Sequence, residues 1–211
     1  METKNIYKKI DHYERKILEK VGIKRSLYHK GNVDNFGIHY LDFSREKKIP
    51  ILIIHGYGAT GITNYKLLPY LIKSFRVILV DLPGFGKSYR PDINFKDFDN
   101  TISFFTVPLV SLVNYLKLEK FIIICHSYGS LISAHFAAMV KERILAIFFV
   151  GAAGFTDKAF TKNETEVLVE DFSKKWKLGN TKMVEMARYW IFEKKLPIFN
   201  YMSKGMRKTY V

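Results

Sequence analysis

Ser127 stands in Phe121-Ile-Ile-Ile-Cys-His-Ser-Tyr-Gly-Ser130, where an apolar run of strand length gives way at once to an apolar stretch of helical period from Leu131 to Val140. A strand, a very tight turn and a helix in that order place a serine at the bend. That is the pattern of a G-x-S-x-G nucleophile elbow, in which Oγ is raised above a sheet where a base and a substrate reach it. Close packing at such a turn asks for small residues two before and two after the serine. Cys125 and Gly129 fill those places, so the second glycine of the pattern is present and the first is replaced by a slightly larger side chain. The plainer reading of the same segment is a serine that caps a helix after a buried strand.

Two other motifs could do chemistry of a different kind. Gly56-Tyr-Gly-Ala-Thr-Gly61 matches G-x-G-x-x-G directly after an apolar strand, and Asp81 lies twenty residues past Gly61 at the end of the next one. That spacing suits a dinucleotide fingerprint, with the acidic residue on the ribose hydroxyls. Against it, helical character resumes only near Asn64, so no helix N-terminus faces a pyrophosphate. Gly86-Lys87-Ser88 matches the end of a phosphate-binding P-loop, but the partner glycine five positions earlier is Asp81, and the cradle is absent.

The elements that must position these residues follow from the apolar periodicity. Residues 3 to 20 carry Ile6, Ile10, Ile17 and Leu18 among many charges, an amphipathic lysine-rich helix that packs on the domain or lies against a membrane or partner. Arg25 to Lys30 and Phe36 to Phe43 read as two short strands of a hairpin. Ile51-Leu-Ile-Ile54 is the uninterrupted apolar run of a strand buried on both faces, and Phe75 to Val80 repeats it. A helix is expected from about Asn64 to Lys73, and another from Asn100 to Leu118 in which Pro108 marks a kink or the true first turn. The strand from Phe121, its helix and a further strand from Arg143 to Val150 complete an alternation that predicts a doubly wound α/β domain with a mostly parallel sheet. Beyond Phe155, Thr161 to Lys177, Thr181 to Glu193 and Phe199 to Lys208 read as three helical pieces with no further buried strand. The expected organisation is a basic N-terminal helix over 1–22, an α/β core over 23–155 and a helical cap or lid over 156–211.

A chain of 211 residues, 48% apolar and 26% charged, suits one globular domain with a sizeable core. Its longest apolar runs fall short of the roughly 18 residues that cross a membrane as a helix. The N-terminus lacks an apolar core of signal-peptide length, and the single cysteine excludes an intrachain disulfide, so the expected location is cytoplasmic. The formal charge of +14 is spread along the whole length without a zinc-ligand or RNA-binding signature, which argues against a nucleic-acid partner. It leaves a solvated basic surface, or peripheral contact with an anionic membrane or lipid droplet. No cofactor is expected.

Together, His55-Gly-Tyr-Gly58, Asp81-Leu-Pro-Gly-Phe-Gly-Lys-Ser88 and His126-Ser-Tyr-Gly129, in this order after the third, fourth and fifth strands, resemble the α/β-hydrolase fold superfamily. Gly84-Phe-Gly-Lys-Ser-Tyr-Arg-Pro91 is similar to its abhydrolase-domain branch of lysophospholipase-like enzymes and the lipid-droplet lipase coactivator. The resemblance covers roughly residues 33 to 155. It implies acyl transfer to a serine and then to water: Ser127 as nucleophile on a carboxylic, lipid-like acyl ester, and the backbone N–H groups of Tyr128 and of Tyr57 or Gly58 as the oxyanion hole. His126 and His55 take structural roles in that scheme. The family's acid and histidine follow the serine in sequence, but the chain's histidines are 12, 29, 39, 55, 126 and 135, and His135 sits on the helix that starts at the turn itself. Asp157 and Asp171 lie after the serine without a recognisable seventh strand. Two readings therefore remain: a truncated form of a longer hydrolase, without its triad acid and histidine, or a non-catalytic lipid-surface or scaffold protein built on the same fold.

Overall fold

Apolar runs rich in β-branched residues, continuously buried in the central strands, make the sheet. In the computed structural model, which describes residues 2–33, 37–89 and 98–153, six strands form: β1 (Tyr28–Val33), β2 (Ile38–Phe43), β3 (Pro50–Ile54), β4 (Arg76–Val80), β5 (Phe121–His126) and β6 (Ile144–Val150). Their order is β1-β2-β4-β3-β5-β6. Strands β3 to β6 are parallel, while β1 and β2 form an antiparallel hairpin whose second strand runs antiparallel to β4.

Along β3 successive side chains point to opposite faces, and both faces are buried. Leu52 and Ile54 pack with Ile78, Val80, Ile123 and Cys125 under α3 (Phe98–Tyr115) and α4 (Tyr128–Met139). Ile51 and Ile53 pack with Val77 and Leu79 against Ile17 and Leu18 of α1 (Glu2–Lys20) and Leu68 of α2 (Leu68–Leu71). Helices thus cover both faces of a mostly parallel sheet, the doubly wound class that the sequence pattern predicts. The apolar stripe of α1 lies against the domain, with Ile10, Ile17 and Leu18 buried. Among the described residues no helix is long and apolar enough to cross a membrane.

Three elements differ from the sequence expectation. The helix expected from Asn64 begins as a 3-10 turn at Gly61, because the Asp81 Oδ1 carboxylate accepts the Gly61 N–H at 2.8 Å. It becomes α-helical only at Leu68. The helix expected from Asn100 to Leu118 runs Phe98–Tyr115, and of the two alternatives for Pro108 the first turn is ruled out, since it lies inside α3, where its ring removes one N–H from the ladder. Arg25–Leu27 is a 3-10 turn, so the first hairpin strand starts at Tyr28. The expected cap helices, with Asp157 and Asp171, lie outside the described residues.

Candidate functional site

Ser127 joins β5 to α4 with φ 51° and ψ −121°. A side chain at positive φ is strained, and this one is over-determined by its surroundings. The Ser127 N–H donates to Val150 O at the end of β6, 3.0 Å away, while Ser127 O accepts from the N–H of Ser130 at 2.9 Å and of Ala153 at 3.2 Å. The hydroxyl-bearing residue is half-buried at the C-terminal edge of the parallel strands. Gly129 is required sterically, since a Cβ there would run into the backbone carbonyls of His55 and Ile54. Cys125, in place of the pattern's first glycine, turns into the helix-side core, its Sγ 3.5 Å from Phe148 O, and burial pushes its thiol up.

The loop after β3 closes on this turn. Gly56 packs directly against it: a Cβ at Gly56 would lie 3.0 Å from His126 Nδ1 and 3.2 Å from the Ser127 Cβ. His55 fixes the loop from beneath. Its Nδ1–H donates to Gly56 O at 2.7 Å, and its Nε2 accepts the Leu82 N–H at 3.0 Å, which ties the β3 loop to the β4 loop. Burial pushes the imidazole below its usual value, partly opposed by the Gly56 carbonyl, so His55 is a neutral strut with both nitrogens engaged. Gly58 takes φ 71°, a conformation natural to glycine. The Tyr57 ring, 41% exposed, meets Tyr128 edge-on at 5.9 Å and Phe85 at 5.6 Å. Four residues singled out by sequence, Ser127, Tyr128, Tyr57 and Gly58, therefore sit on two adjoining loops at one edge of the sheet.

No histidine among the described residues stands as a base for Ser127. His126 is its exposed neighbour in the chain. His135 is eight residues along α4, about 12 Å at helical rise. His39, on β2, is separated from β5 by β4 and β3, about 14 Å at the usual strand spacing.

His39 belongs instead to a polar cluster that sequence reasoning missed. Asp81 is fully buried; it accepts the N–H of Gly61 at 2.8 Å and of Lys87 at 3.0 Å, and pairs with His39 Nδ1 at 3.0 Å. Burial alone would raise its carboxyl, but the hydrogen bond and charge of His39 and the Lys87 contacts outweigh it and hold it well below the ordinary carboxylate range. Lys87 in turn donates to Glu14 and, at 2.9 Å, to Asp11 of α1. Asp81 is thus buried and engaged by three partners of the fold rather than free for a ribose, and Lys87 is spent on α1 rather than on a phosphate cradle. The dinucleotide and P-loop spacings are accounted for by this cluster. The signal was present in Asp81-x-x-x-x-Gly86-Lys87-Ser88: a Cβ at Gly86 would collide with the Asp81 carboxylate, and Ser88 Oγ donates to Asp81 O at 2.6 Å.

Comparison with known proteins agrees with the fold. A family model described as the alpha/beta hydrolase fold matches residues 49–181. A probable 1-acylglycerol-3-phosphate O-acyltransferase of Oryza sativa subsp. japonica is 32% identical over 141 residues, 66% of this chain and 33% of that protein. The chain spans about a third of the length of the first curated relatives it matches. Among solved structures, a membrane phospholipase A described as a bacterial virulence factor superposes with a TM-score of 0.65 at 21% identity, over 95% of this chain and 63% of that one. An esterase from Exiguobacterium antarcticum superposes with a TM-score of 0.63 at 20% identity, over 85% and 67%.

Proposed function

The chain belongs to the α/β-hydrolase fold family, and from that premise we propose that it carries the nucleophile half of a serine hydrolase acting on carboxylic esters of apolar, lipid-like acids. Ser127 attacks the ester carbonyl from its nucleophile elbow. The oxyanion is held by the backbone N–H of Tyr128, at the start of α4, and by that of Tyr57 or Gly58. The observation that carries this reading is the turn itself: a non-glycine residue held at φ 51° with the Gly56 backbone pressed against it. Strain of this kind persists where a fold over-determines it, and here it lifts a hydroxyl toward the loop that closes the site. The apolar ester is favoured by the paired rings of Tyr57 and Tyr128, which rest on the buried Phe85 and Phe105. In this proposal the triad acid and histidine are supplied from outside the described residues.

The test is covalent labelling. A fluorophosphonate probe is expected to label Ser127 of the 211-residue chain slowly, and free imidazole, standing in for the missing base, to accelerate labelling by at least about ten-fold, within the range a general base contributes. Ser127→Ala abolishes it. Silence in the presence of imidazole sinks the nucleophile assignment, and fast labelling without it sinks the claim that the base lies elsewhere.

A second reading, contact with an anionic lipid surface, is favoured by α1. Its apolar stripe is consumed by the core, and its outward face presents Lys8, Lys9, Arg15, Lys16 and Lys20. Such a face attracts anionic headgroups without inserting, and the attraction fades with salt.

A further inference from the structure

On the face of the sheet that α1 covers, a second helical segment lies beside it. Ile17 and Leu18 of α1 and Leu68 of α2 pack into one apolar cluster, with Tyr13 and Tyr65 resting on it, and α1 touches the 3-10 turn that leads into α2. The two flanks of α1 differ. One turns toward β1: Asp11 pairs with Lys30 at 2.6 Å, and Lys8 and Arg15 line a cleft with Arg25 and Tyr28. Glu19 is drawn to that side by Arg15, 3.9 Å away. Lys16 and Lys20 follow Tyr13 by three and seven residues, so they stand on the other flank, toward α2, and both are exposed.

The neighbouring segment is basic and carries protruding apolar groups. No acidic residue occurs between Lys47 and Val80. Lys66, Tyr70 and Lys73 recur at spacings of four and three, which sets them on one side of the turn and helix, and all three are exposed. Tyr70 is 77% exposed, and Leu67, three residues before it, 40%. The two form one apolar point among the ammonium groups of Lys16, Lys20, Lys66 and Lys73, rather than single apolar side chains scattered over a surface.

Building on the reading of α1 as a contact for anionic lipid, we infer that this seam docks on a bilayer containing anionic lipid, with Lys16, Lys20, Lys66 and Lys73 on the headgroups and Leu67 and Tyr70 entering the interface between them. Charge of one sign selects an anionic partner. The apolar point selects a bilayer over an acidic protein surface: a ring with a polar tip beside a leucine suits the headgroup level, where one end is apolar and the other wet. Charge brings the chain to the surface, and the two apolar side chains hold it there when salt screens the charge. α1 alone attracts without inserting; insertion resides in residues 66–73. The segment continues the loop after β3 that carries Tyr57 and Gly58, so the docking face is joined to the loop that closes on Ser127, and it acts whether or not that serine reacts.

Sedimentation of the 211-residue chain with phosphatidylcholine vesicles, with and without phosphatidylserine, tests the face. Binding is expected only where phosphatidylserine is present. Lys66→Gln with Lys73→Gln is expected to weaken it at least about ten-fold, from the attraction of two lysines, and Leu67→Ser with Tyr70→Ser about ten-fold, from the lost apolar burial. The lone native cysteine, Cys125, is buried, so Tyr70→Cys takes an environment-sensitive fluorophore at one position. Its emission is expected to shift to the blue on phosphatidylserine vesicles, while the same label at Lys141→Cys, before the edge strand β6, keeps its emission in water. Binding that Lys16→Gln with Lys20→Gln removes, but that ignores the changes at 66–73 and leaves the label at position 70 unshifted, overturns the inference and leaves the α1 reading standing. Binding that needs residues 66–73 and ignores the α1 lysines supports insertion at Leu67 and Tyr70 and overturns the α1 reading alone. Equal binding to both kinds of vesicle, or binding to neither, as an acidic protein partner would give, overturns both.

Discussion

Ser127 shows how much chemistry one backbone angle holds. A side chain at φ 51° is costly, by about 1–3 kcal/mol for such conformations, and the hydrogen bonds to Val150, Ser130 and Ala153 keep it there. Glycine occupies that region without a Cβ penalty. Ser127→Gly is therefore expected to raise unfolding stability by about 1 kcal/mol in urea titration while removing the labelled hydroxyl. A stability equal to or below that of the parent protein would mean that the turn is unstrained. The serine's place at the apex was legible because the apolar period changes from strand to helix around it. The strain was not, because it depends on β6 and residue 153, which approach only in the folded chain. His39 was illegible for the same reason: a lone histidine in a hairpin strand gains meaning only when strand pairing sets it opposite the end of β4.

The N-terminal helix is joined to the sheet by more than its apolar stripe. Ile10, Ile17 and Leu18 could be read from their spacing, and Glu14 falls on the same buried face, a charge where an apolar residue is expected. Its partner Lys87 lies 73 residues away, in the loop that also carries Phe85 against His55 and Tyr57. Sequence spacing alone could only assign that lysine to a phosphate loop and reject it. A buried pair broken on one side leaves an uncompensated charge, whereas its replacement by apolar residues of like size is near neutral. Glu14→Ala is expected to cost about 3 kcal/mol in chemical denaturation, and the double change Glu14→Leu with Lys87→Met to recover most of that loss. If the double variant were as unstable as the single one, the pair would be an attractive tie rather than two burial costs that cancel. The 3-10 start at Gly61 has a similar cause: no helix propensity in residues 61–64 predicts it, and the Asp81 carboxylate imposes it from the neighbouring strand.

At the scale of the whole molecule, the alternation of buried strands and helices made the doubly wound class legible, but strand order was not. The crossing that inserts β4 between β2 and β3 brings Asp81, His55 and the β3 loop together at one edge, where neutral and charged groups are buried side by side. This arrangement dictates how the fold responds to acid. His55 is held neutral when folded and titrates near 6.5 when unfolded, so below pH 6.5 the unfolded chain binds the extra proton and stability falls, by up to about 1.4 kcal/mol per pH unit. Glu14 acts in the opposite sense: burial raises its carboxyl, the folded state takes up the proton more readily, and stability is regained as the pH falls toward 4.5. Asp81 and Asp11 then dominate. Both are depressed in the fold, so the stability they contribute is complete above their ordinary value of 3.8 and is lost as the pH falls below it. Urea midpoints measured from pH 8 to pH 3 should therefore decline from about 6.5, flatten near 4.5 and decline again. His55→Gln, which keeps a hydrogen-bonding side chain but has no titrating ring, should remove only the first decline. Persistence of that limb in the variant would place the titrating group elsewhere and leave the strut between the β3 and β4 loops without its charge-sensitive role.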